Sequence, residues 1–159
     1  MMRDNIKKIL KEYIENRSKL NDFMGAVDYA QKKAVKNSDY PRETEKVKKM
    51  MDTIKKDVSR AYKEVTGKEP VSVDNIVIKV DGNIKAGKIA SFKHPESKKD
   101  IGVMKIHPDA LEDPEYVEDA IKHETIHGAH GLEDTEARNH GGDFQKVADK
   151  VELPKNRRS

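Results

Sequence analysis

Cysteine is absent from this 159-residue chain, which excludes disulfides and any Cys-based zinc ribbon. A metal held here must be ligated by His, Asp or Glu. Tryptophan is also missing and phenylalanine occurs three times. With 35% hydrophobic and 38% charged residues, the core must be modest and many charges must sit on solvated helix faces. No stretch is apolar for long enough to span a bilayer, and the opening Met1-Met2-Arg3-Asp4-Asn5-Ile6 lacks the apolar run of a signal peptide. The expectation is a soluble, intracellular, cytoplasmic protein without a membrane partner. Internal repeats and low-complexity tracts are absent too.

The length fits one domain with a small appendage. Net charge is +3 but unevenly spread. Residues 1–66 carry 17 Lys/Arg against 11 Asp/Glu, a net of +6, and the remaining 93 carry 15 against 18, a net of −3. A basic front half can meet nucleic acid or another acidic surface; it is equally what a solvated helical face of mixed sign produces.

Residues 3–36 read as helix. Ile6, Ile9, Leu10, Tyr13 and Ile14 follow the helical period, and Phe23, Met24, Val27, Ala30 and Ala34 resume it. Asn21-Asp22 can cap a second helix, so the stretch is one bent helix or two. Pro41 suits the first turn of the next helix, whose stripe runs Val47, Met50, Met51, Ile54, Val58, Ala61, Tyr62 and Val65 and stops at Gly67. The texture then changes. Val71–Val80, Ile84–Phe92 and Ile101–Ile106 read as strands, and their short connections predict a three-stranded antiparallel sheet. Asp113-Pro114-Glu115 is an N-cap, a first-turn proline and a favourable first-turn acid for a helix running to Gly128 or Gly131. A short helix starting at Asp143 follows, with Phe144, Val147, Ala148 and Val151 on one face. The expected fold class is α+β, with a basic helical segment over 1–66, a metal-binding core over 67–153 and a loose basic tail over 154–159.

The third helix carries His123-Glu124-Thr125-Ile126-His127. Histidines four apart lie about 40° apart around a helix axis, so both imidazoles reach one ion. The intervening glutamate can act as base toward a metal-bound water. A shuffled chain of this composition produces the pentapeptide in roughly 2 of 100 cases, so its setting on a capped helix matters. A catalytic zinc site needs a third protein ligand. His140 is the strongest candidate, because Gly141-Gly142 lets the backbone pass close and Phe144 anchors the next turn. His130, Glu133 and Glu136 are its rivals. Tyr116, His130 and Arg138 are candidates to steady an oxyanion, and His94 and His107 read as surface or hydrogen-bonded residues.

Together with His140-Gly141-Gly142-Asp143-Phe144, this pentapeptide resembles the H-E-x-x-H … H-G-x-x-F pattern of the SprT-like zinc metalloproteases, the family that includes Spartan. The likeness covers about residues 70–151, including Ile106-His107-Pro108-Asp109-Ala110-Leu111 ahead of the site helix. It implies Zn2+ held by His123, His127 and His140, Glu124 as catalytic base, and a small α+β protease core with substrate extended near a sheet edge. Several members degrade proteins crosslinked to DNA, with DNA as activator. Many relatives carry a Cys-rich zinc ribbon that this chain lacks, and it has a basic helical front instead. The expected activity is zinc-dependent endopeptidase action on a polypeptide substrate, with DNA a candidate partner through the front helices. The alternatives are a basic helical binding module with an idle or structural zincin-like domain, and a helical DNA-binding protein with incidental histidines.

Overall fold

The computed structural model describes residues 2–84, 90–93, 100–131 and 140–158. The front of the chain is a long helix, α1 (Met2–Asn37), without a break at Asn21-Asp22. Helix α2 (Pro41–Thr66) begins on its proline and ends where Gly67, at φ 70°, takes the left-handed cap and donates its N–H to the Lys63 carbonyl. Its apolar stripe is the centre of the molecule. Val47, Met51, Ile54 and Val58 are buried there against Ile78 and Val80 of β1 (Ile76–Val80), Met104 and Ile106 of β3 (Gly102–Ile106), and Val117, Ile121 and Ile126 of α3 (Pro114–His130). Phe144 and Val147 of α4 (Gly142–Lys150) complete this core. Among the described residues no helix is long and apolar enough to cross a membrane.

The expected antiparallel sheet does not form, and the chain is mostly helical with a small mixed sheet. The strand order is β1-β3-β2, β1 and β3 run parallel, and only β2 (Ala90–Lys93) pairs with β3 in the antiparallel sense. Sequential pairing was inferred from short connections, but β1 and β3 are separated by enough chain, including β2, for β3 to enter between the other two. The signal lay in β1 itself. Its residues Ile76, Val77, Ile78 and Val80 are all buried, the near-continuous apolar run of a strand covered on both faces. By contrast β3 alternates between buried and half-buried positions.

That arrangement leaves β1 at an edge, and the front helices close it. Gln31 of α1 acts as a surrogate peptide: its Nε2 donates to the Ile78 carbonyl at 2.8 Å and its Oε1 accepts the Ile78 N–H at 2.9 Å. Ser38 Oγ donates to the Val80 carbonyl at 2.6 Å, Thr44 Oγ1 accepts the Val80 N–H at 3.1 Å, and Lys55 Nζ reaches the Ile76 carbonyl at 2.6 Å. An exposed edge of this kind would otherwise template pairing with another chain. The first part of α1 is different, since Ile6, Ile9, Leu10, Tyr13 and Ile14 stay exposed.

Helix α3 is placed by its start and by a close approach. Asp113 Oδ1 accepts the Tyr116 N–H at 3.1 Å, the expected N-cap. Near its end the Val71 and Ser72 N–H groups donate to the Ala129 and Gly128 carbonyls at 2.9 and 3.0 Å. Gly128 is needed there, because a Cβ would lie 3.0 Å from the Ser72 carbonyl oxygen. Gln31→Ala should strip both Ile78 groups of their partner and destabilise the fold by about 1–3 kcal/mol. A lowered denaturation midpoint at unchanged m-value would register it, and wild-type stability would refute the edge-closing role.

Candidate metal centre

Helix α3 carries His123 and His127 one turn apart, and the turn leading into α4 brings His140 to them. His127 Nε2 lies 3.1 Å from His123 Nε2 and 3.1 Å from His140 Nε2. The three ligand nitrogens all fall within 4.8 Å of one another. A tetrahedral zinc with bonds of about 2.0–2.1 Å separates its donors by about 3.3–3.4 Å, so the spacing suits one ion. One ring nitrogen cannot direct a single N–H along two in-plane lines. Three lone pairs aimed at a common point account for both contacts.

The tautomer of His123 supports that reading. Its Nδ1 lies 3.1 Å from the Arg157 carbonyl oxygen, which can only accept, so Nδ1 carries the proton and Nε2 is left bare. Below the cluster lies Phe144, fully buried, with ring centroids 4.8 Å from His127 and His140 and 5.6 Å from His123. This apolar floor helps to shield the rings from water. Desolvation, followed by the neighbouring His123, holds the His140 pKa below the usual imidazole value, while the charge of Glu124 pulls the other way. His140 therefore keeps its lone pair further into acid than an ordinary histidine.

No family model, curated protein or solved structure matches this chain.

The assignment of roles thus stands on geometry. Beside the Gly141-Gly142 pair the left-handed step is taken by His140 itself, at φ 56°. Gly141 has an ordinary φ of −76° and caps α4. Histidine is among the residues that tolerate this region, at a small energetic cost. His130, the rival on the same helix, is buried edge-on against Tyr62 with centroids 4.9 Å apart and does not belong to the cluster. Glu133, Glu136, Arg138 and His94 lie outside the described residues. Tyr116 sits beneath the Arg157 guanidinium, 5.1 Å from its ring centroid. His107 caps the turn Pro108–Glu112 by accepting the Asp109 N–H at 3.1 Å, a structural role.

Sequence reasoning overlooked the residues behind the ligands. The tail read as loose is packed: a turn over Lys155–Arg157 is followed by a buried Arg158, and the same stretch supplies the carbonyl that holds His123. Charge alone cannot reveal this, since main-chain oxygens and the Gln145 amide are partners here beside the carboxylates of Asp119 and Asp149. His140→Ala should weaken zinc binding by more than about 100-fold, beyond the loss typical of a residue outside the ligand set. Zinc affinity of the wild-type chain should fall on acidification, because protons compete for the same nitrogens, with the His140 share of that loss coming below the ordinary imidazole range. Competition titration against a chromophoric chelator measures both, and an unchanged affinity in either case would refute the site.

Proposed function

We propose that this chain is a zinc-dependent endopeptidase of the SprT-like kind, with His123, His127 and His140 holding the metal and Glu124 serving as general base. The observation that carries this reading is the convergence of three imidazole nitrogens beside a carboxylate that follows the first ligand on one helix. A structural zinc site has no use for a base beside its ligand, which favours the enzyme over an idle zincin-like domain. All three histidines are half-exposed, so a polypeptide can reach the ion from solvent.

When bound, zinc supplies Lewis acidity, lowering the pKa of water toward neutrality and polarising a carbonyl. The chain's own part begins with Glu124, whose carboxylate takes the proton of the attacking water. The same group then returns that proton to the departing amine, so the peptide bond breaks without releasing a free amide anion. His123 holds its orientation through the Arg157 carbonyl, and Phe144 keeps water from beneath the rings.

Action on DNA-associated proteins has less support. A cleft of about 800 Å³ between α1, α2 and β1 is lined by Lys48, Lys55, Lys56, Arg60 and Lys63, but Asp28, Asp52, Glu69 and Asp74 line it too. Lys48 pairs with Asp52 at 2.7 Å and Lys55 is committed to the Ile76 carbonyl. This is the mixed-sign surface of solvated helices rather than a continuous phosphate-binding track. Glu124→Gln should retain one zinc per chain while lowering the turnover of an unstructured fluorescent polypeptide by about 10²–10⁴-fold. Undiminished turnover would remove Glu124 from the mechanism, and a zinc content near zero in supplemented wild-type protein would remove the metal.

A further inference from the structure

We propose that the 155–158 turn is an integral brace of the metal centre, and that Gln145 and Arg158 are positioning residues for His140. The inference rests on the metal-centre reading above and concerns how two of the three ligands are held. One arm of the brace runs to His123. Its Nδ1 donates to the Arg157 carbonyl at 3.1 Å, and that carbonyl is anchored from both sides of its residue. The Arg157 N–H closes the turn on the Pro154 carbonyl at 2.9 Å. The Arg157 guanidinium lies over the Tyr116 ring at 5.1 Å and 3.7 Å from Asp119 Oδ2. Tyr116, Asp119 and His123 stand at successive helical turns on one side of α3, so the turn docks on the face that presents the ligand.

The other arm is a relay through side chains. Arg158 is buried and each of its three nitrogens has a partner: Nε bonds the Leu153 carbonyl at 2.9 Å, Nη2 meets Asp149 Oδ1 at 2.7 Å, and Nη1 bonds Gln145 Oε1 at 2.8 Å. A guanidinium only donates, so the amide of Gln145 has one orientation, with its oxygen toward Arg158 and its NH2 toward the site. That NH2 donates to the His140 carbonyl at 2.9 Å. His140 occupies the left-handed region at φ 56°, where the backbone needs outside support. The bond from Gln145 fixes the peptide that aims the third imidazole at the other two. Neither Gln145 nor Arg158 touches the metal or substrate; both act through the position of His140.

Gln145→Glu separates this role from simple packing. A carboxylate keeps the Arg158 partner and the side-chain volume, but it has no proton to give the His140 carbonyl. In the full-length chain, zinc affinity measured by chelator competition should fall about 10- to 100-fold, the range for a residue behind a metal ligand. The visible bands of the cobalt-substituted protein should change in intensity, because they report coordination geometry. The thermal midpoint of the metal-free protein should stay at the wild-type value. Arg158→Lys should weaken zinc in the same direction, since one ammonium cannot serve Leu153, Asp149 and Gln145 together. Wild-type affinity and an unaltered cobalt spectrum in Gln145→Glu, with wild-type protein loading one zinc per chain, would overturn the brace alone. A loss of affinity matched by an equal destabilisation of the metal-free protein would overturn it as well. Wild-type protein that loads no zinc would overturn the metal centre, and the brace with it.

Discussion

A β-strand at the edge of a sheet must find partners for its outward peptide groups, and this fold is organised around how β1 finds them. The partners are side chains from the two front helices, chiefly the amide of Gln31, which matches a peptide in both donor and acceptor. The requirement fixes where α1 and α2 lie. With α2 held against β1, its apolar face is left to receive α3 and α4, and α3 carries two of the histidines. The front of the chain is thus less an attachment to the core that carries the histidines than the element against which that core is assembled.

The centre itself combines opposed demands. To hold an ion, imidazoles must be bare at one nitrogen, close together and dry enough to stay neutral, yet the proposed chemistry also needs them open to solvent on one side. Phe144 provides the dry floor, and desolvation depresses the His140 pKa in the direction that ligation requires. Main-chain oxygen supplies the remaining order, through Arg157 behind His123. The left-handed backbone at His140 is a local cost accepted for aim.

Legibility in the sequence followed the range of the interaction. The helix cap at Asp113, the stop at Gly67 and the stripe of α2 are local signals, and each appears where the pattern indicated. His123 and His127 were readable because helical spacing alone brings them together, and His140 because Gly141-Gly142 and Phe144 flank it. Sheet topology was not local. The buried run of β1 pointed to a parallel neighbour, but short connections outweighed it in the reading and produced an antiparallel sheet that the chain does not form. Gln31, Gln145, Arg157 and Arg158 were invisible for a related reason. Their value lies in single hydrogen bonds across 5 to 47 positions, and no periodicity records those.

The pairing of Gln31 with Ile78 also sets an order of events in time. Helices α1 and α2 are made first, but the Gln31 amide has no counterpart until residue 78 has been synthesised. Until then that amide must be satisfied by water, whereas Ser38 and Thr44 can already bond each other, and a newly made β1 that arrives without these partners bares unpaired carbonyls and amides. A nick near Gly67 would put β1 and the side chains that cover its edge on separate pieces, joined only by the shared core. The cover for the β1 edge is thus supplied from within the same chain.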